Sequence, residues 1–166
     1  MLTGKKIKVF YDSSVIIAGL ASSRGTSCIT LSLAEMGVIE PYIAEQVVSE
    51  VINNVERKLP SCLPQFFTLF KTLPFRLVDA KRDHLNRALE LINEKDAPLV
   101  AVAMSAGVDV LLNLDKHFLH DELREQLDFV VCTPGDFLTH FPDTPPGNGV
   151  SASGHEFRNS SPTFSA

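Results

Sequence analysis

The sequence predicts an α/β protein built on a parallel sheet with helices on both faces. Three observations lead there. Short apolar runs alternate with longer helical patterns through residues 1–141. The run at 108–112 (VDVLL) is nearly continuous in apolar residues, as a strand buried on both faces requires. No internal repeat interrupts the alternation.

The elements run in order. Residues 7–11 (IKVFY) read as the first strand, ending at Asp12. Ser13 and Ser14 are suited to cap the next segment, because their hydroxyls accept from the free N–H groups of a starting helix, and 15–20 continue as that short apolar helix. Ser22-Ser23-Arg24-Gly25 breaks it, and 26–36 form a second helix stopped by Gly37. The next strand, 38–43, carries Glu40 and Pro41. Over 44–59, Val47, Val48, Val51, Ile52, Val55 and Leu59 fall on one helical stripe. Pro60 and Pro64 end that helix and introduce a Phe-rich one at 65–70, expected in the core rather than on a dimer surface. Residues 75–78 read as a short strand, and 79–92 and 97–106 as helices, the latter closed by Gly107. After the 108–112 strand come a helix at 120–127, a strand at 129–132 and a last helix at 134–141 with proline in its first turn.

Beyond Phe141 the composition changes. Residues 142–166 are rich in Pro, Gly, Ser, Asn and Thr and cannot bury enough surface to offset chain entropy, so a domain at 1–141 and a flexible tail at 142–166 are expected. The 166 residues suit one domain. Lys+Arg number 15 against 20 Asp+Glu, a net charge of −5, so no global basic field attracts polyanions. Cys28, Cys62 and Cys132 are far apart and lack C-x-x-C spacing, which excludes a zinc knuckle or disulfide framework and reads as buried thiols in a reducing compartment. No apolar run is long enough for a signal peptide or a membrane span, so a cytoplasmic protein is expected.

In parallel sheets ligands bind beyond the carboxyl ends of the strands. Asp12 stands at one such end, and Asp115 comes after another through Asn113 and Leu114. Each aspartate also suits a helix cap or a loop, but two strand-end carboxylates on one sheet edge repel unless a cation lies between them. Asp96 opens the helix at 97–106, again as ligand or N-cap. The helix at 44–59 offers Glu45, Glu50 and Glu56, and helical angle does not choose among them.

The segments VFYDSSVI (9–16), VVSEV (47–51), KDAPLVAVA (95–103), DVLLNLDKHF (109–118) and VCTPGDFL (131–138) together resemble, in order, the motifs of PIN domains, over nearly all of 1–141. The resemblance implies a Rossmann-like three-layer α/β/α sandwich and a metal-dependent endoribonuclease of the VapC toxin type. It carries the family's acidic quartet onto Asp12, Glu50, Asp96 and Asp115, with Asp12, Asp96 and Asp115 as metal ligands. Ser14 and Asn113 occupy supporting positions. Asn113 departs from the usual Thr or Ser, although an amide still donates and accepts hydrogen bonds.

A carboxylate set without histidine or cysteine suits one or two Mg²⁺ or Mn²⁺ ions. His117, close to Asp115, reads as a loop residue. Arg24, Lys95 and Lys116 are candidate phosphate contacts, since grip on RNA, single-stranded or structured, must be local in an acidic protein. The resemblance further implies a homodimer and an antitoxin partner. Two other readings stand beside this one: a catalytically inert PIN-like interaction module, and a Rossmann-like phosphate or nucleotide binder. The latter lacks both G-x-G-x-x-G and G-x-x-x-x-G-K-[ST].

Overall fold

The computed structural model describes residues 4–140. The expected tail at 142–166 lies outside the described residues. Five parallel strands form one sheet in the order β3-β2-β1-β4-β5. They are β1 (Ile7–Tyr11), β2 (Ile39–Ile43), β3 (Arg76–Leu77), β4 (Val110–Leu112) and β5 (Val130–Cys132). The helices are α1 (Ser13–Ala21), α2 (Thr26–Glu35), α3 (Glu45–Lys58), α4 (Leu63–Thr72), α5 (Arg82–Leu91), α6 (Ala97–Ala106), α7 (Asp121–Arg124) and α8 (Pro134–His140). No helix among the described residues is long and apolar enough to cross a membrane.

The helices fall into two packed groups. α1 lies against α2 and α3, α2 against α8 and α3 against α4, whereas α5 and α6 pack on each other. Right-handed crossovers place these groups on opposite faces of the sheet. Val9, Phe10, Tyr11, Ile43, Leu111 and Leu112 fill the middle layer with essentially no exposed surface. From β1 the chain moves outward through β2 to β3, then returns to lay β4 on the other side of β1. The switch point therefore lies between β1 and β4, where the crevice of such folds opens.

The expected strand starts at 38 and 108 are displaced by the ends of the preceding helices. Val38 N–H donates to Leu33 O at 2.9 Å and Gly37 N–H to Ala34 O at 3.0 Å, while Gly37 takes φ +75°. That is a Schellman ending, and Val38 belongs to it. Val108 is held in the same way, by a 3.4 Å bond to Ala103 O after Gly107 at φ +61°. Pro41 is tolerated in β2 because β3 pairs only with Tyr42 and Ile43, leaving the sheet open beside the proline.

Three further expectations are corrected. α1 is capped by Asp12 rather than by Ser13 or Ser14, which lie in its first turn. α7 spans one turn because its hydrogen bonds shift to three-residue spacing at Gln126 and Leu127. The Phe-rich helix is only partly core: Phe66 is buried, Phe70 half-buried and Phe67 exposed. Among the cysteines, Cys132 is buried while Cys28 and Cys62 are half-buried, and all three are free thiols.

Candidate active site at the switch point

β1 and β4 pair through Tyr11 and Leu112, so Asp12 and Asn113 are the next residues on adjacent strands. Asp12 N–H donates to Leu112 O at 3.1 Å, and Asn113 N–H donates to Cys132 O at 3.0 Å. The backbone of three neighbouring strands thus fixes where the side chains begin.

Asp12 is half-buried. Its Oδ2 accepts from Ser14 N–H at 3.3 Å and from Ser14 Oγ–H at 2.6 Å. The aspartate therefore caps α1, and its Oδ1 has no protein partner among the described residues. Ser14 Oγ also accepts from Leu114 N–H at 3.4 Å, which ties the β1 end to the loop after β4.

Asn113 is buried, 6% exposed. Its Oδ1 accepts from Asp115 N–H at 2.7 Å, an Asx turn that sets the backbone of the acid two residues on. Asp115 is exposed, and its Oδ1 accepts from His117 N–H at 2.9 Å. The amide at 113 therefore orders the loop that carries Asp115.

Asp96 occupies the N-cap position of α6 but makes no side-chain cap bond. Its Oδ2 instead accepts from Asn93 Nδ2–H at 2.9 Å, while Asn93 Oδ1 accepts from the N–H groups of Lys95 and Asp96, both at 3.0 Å. Asp96 and Asp115 line one cavity of about 460 Å³, together with Lys95 and His117.

Glu50 lies on the exposed side of α3, and its carboxylate has no partner among the described residues. No hydrogen bond or ion pair among the described residues joins it to the three aspartates. Arg24 and Lys116 are exposed in the loops after α1 and β4. Among the described residues no three Asp, Glu, His or Cys side chains gather as a ready-made metal cage. The acids are joined in pairs instead, Asp12 to the Asp115 loop through Ser14 and Asp96 to Asp115 across the cavity.

The donors at hand are carboxylate oxygens, which suits a hard divalent cation. Mg²⁺ commonly binds through one or two carboxylates and keeps much of its water shell. Cys132, whose carbonyl is part of the site's frame, offers no thiolate: burial first, then the nearby Asp136 charge, push its thiol up to about 12.

Sequence reasoning missed Asn93 and Arg124. An asparagine three residues before a helix N-cap is an Asx-turn signal that could have found the first. Arg124 donates from Nε to Leu119 O at 3.1 Å and from Nη2 to Lys116 O at 2.7 Å, fastening the loop after Asp115. Side-chain bonds to carbonyls five and eight residues back leave no periodicity to read.

No protein-family model matches the chain, and no curated protein is significantly similar to it in sequence. Solved structures are similar in fold. The structure of PAE2754 from Pyrobaculum aerophilum aligns with a TM-score of 0.58 and 16% identity, covering 83% of this chain and 91% of that one. The structure of VapBC2 from Rickettsia felis bound to a DNA fragment from their promoter aligns with a TM-score of 0.58 and 13% identity, covering 75% of this chain and 97% of that one. Identities this low speak to architecture alone. With its five-stranded parallel sheet between two helical layers, the chain has the α/β/α fold of the PIN domains.

Proposed function

We propose that the protein is a Mg²⁺- or Mn²⁺-dependent endoribonuclease. The observation that carries this reading is the Ser14 bridge: it links the acid ending β1 to the loop bearing the acid beyond β4, at the switch point of the sheet. In this reading Asp12, Asp96 and Asp115 hold one or two cations, and Glu50, with its unpartnered carboxylate, serves the attacking water or a second ion. The bound metal supplies charge neutralisation at the phosphodiester and activation of water.

The chain's own residues prepare that chemistry. Ser14 occupies Oδ2 of Asp12 and leaves Oδ1 available. Asn93 does the same for Asp96, and Asn113 holds the turn that presents Asp115. Lys95, at the cavity, and the exposed Arg24 and Lys116 are the cations placed to meet RNA phosphates.

The fold shared with the VapBC2 structure supports a place in a toxin–antitoxin pair with an antitoxin as partner, and the PIN resemblance adds a homodimer as the working form. Free thiols suit a reducing, cytoplasmic setting. A catalytically inert PIN-like module is the second reading, and the pairwise rather than clustered acids are what favour it.

Cleavage of an unstructured RNA in Mg²⁺ or Mn²⁺ tests the proposal. The wild-type protein is expected to cut and EDTA to stop it, while Asp12→Asn and Asp115→Asn abolish hydrolysis and stay folded. Cleavage that survives EDTA or both substitutions overturns the assignment, as does no cleavage with either metal.

A further inference from the structure

The cavity beside Asp96 and Asp115 has walls of two kinds. Asp96, Asp115 and His120 contribute polar groups, and Ile92, Phe118 and Leu123 contribute an apolar surface. Its volume of about 460 Å³ lies within the roughly 300–1,000 Å³ common for small-molecule sites.

The lining discriminates among occupants. Asp96 and Asp115 together outweigh Lys95, so the lining is net negative, which disfavours a phosphate inside the cavity and leaves Lys95 to a phosphate at its mouth. A purely apolar group would leave the imidazole of His120, which makes no cap bond to α7, without a partner in the cavity. A nucleobase meets both demands. Its faces are apolar enough to lie on Phe118 and Leu123, and its edge carries N–H donors.

The wall is also built in advance. Phe118 N–H donates to Asp115 O at 3.1 Å, and Arg124 fastens the carbonyls of Lys116 and Leu119 from behind. A loop already ordered costs little further entropy when a ligand arrives.

The geometry points to a nucleobase subsite in this cavity, holding the base of one unpaired nucleotide next to the scissile phosphate, with His120 selecting among bases. Its place beside the cut rests on the ribonuclease reading; base binding itself does not. His120 is exposed and its side chain makes no cap bond to α7, so it is free to contact a ligand.

The test is an amide-resonance NMR titration of the full chain with each of the four ribonucleoside 5′-monophosphates in EDTA. Shifts confined to residues 91–96 and 115–123 are expected. A spread of at least about tenfold in affinity among the four is expected too, the discrimination one well-made hydrogen bond supplies. His120→Ala should shrink that spread to about twofold or less, by loss of about one such bond, while distant resonances stay in place. Phe118→Leu, which keeps an apolar side chain against the core, should weaken all four nucleotides together. Equal affinities, shifts elsewhere, or a spread unchanged in His120→Ala overturn the subsite. A protein that cuts RNA but shows no base preference loses the subsite alone, whereas preferential binding without any cleavage in metal removes the nuclease reading and keeps the subsite.

Discussion

The Ser14 hydroxyl donates to Oδ2 of Asp12 at 2.6 Å, and its Oγ accepts in turn from the backbone N–H of Leu114. One side chain in the first turn of α1 thereby controls the orientation of an acid on β1 and the position of a loop beyond β4.

Removing that hydroxyl should injure the site more than the fold. Ser14→Ala is expected to reduce RNA cleavage by about 10- to 100-fold, the scale of a hydrogen bond to a charged group at roughly 1.5–3 kcal/mol. The buried amide at 113 is expected to be more costly to the fold. Asn113→Ala leaves Asp115 N–H without its acceptor and should cost about 1–3 kcal/mol by denaturant unfolding, and Asn113→Ser should recover part of that loss. An Asn113→Ala protein as stable and active as wild type would remove the Asx turn from the account.

Metal should be visible in stability as well as activity. A cation that binds only the folded protein stabilises it by about 2.7 kcal/mol at a hundredfold excess over Kd. Adding Mn²⁺ is expected to raise the Tm of the wild type and to leave Asp115→Asn unmoved. In metal-free buffer Asp115→Asn should be at least as stable as wild type, because one of two neighbouring negative charges is gone. A Mn²⁺ response identical in both proteins would argue against Asp115 as a ligand.

Alkaline pH should weaken the fold through three buried acids. Burial raises the Tyr11 phenol well above 10.0. It also lifts Tyr42 to about 12, helped by Glu40, and Cys132 to about 12 from 9.0. Between pH 9 and 12 the folded protein therefore keeps protons that the unfolded chain releases, so stability falls as pH rises through that window. Thermal melts at stepped pH should decline from about pH 9, the ordinary thiol range, and Cys132→Ala should soften the decline. Constant Tm up to pH 11 would contradict the burial of these groups.

Much of this arrangement is legible in the residues, and the reasons it stops are physical. IKVFY and the Ala97–Ala106 helix can be read to their ends, because an acid bounds one and Gly107 the other. The strand starts expected at Val38 and Val108 are displaced because apolarity marks burial, not whether a residue still closes the preceding helix. Asp12 reads as cap or ligand, and the structure shows that capping engages one oxygen and leaves the other. For Asp96 the cap alternative fails, since Asn93 takes its carboxylate sideways. Resemblance alone prefers Glu50 to Glu45 and Glu56, and on α3 Glu50 is exposed. The cavity leaves no trace in the sequence, because its walls come from two separate stretches, 91–96 and 115–123.

The Ser14–Leu114 bond spans 100 positions of the chain. During synthesis the first half of the crevice leaves the ribosome long before the second. Until β4 has emerged and slotted in beside β1, the nascent polypeptide lacks Asn113 and Asp115 and leaves one edge of β1 exposed. Any chemistry at this crevice must wait for the far half of the protein.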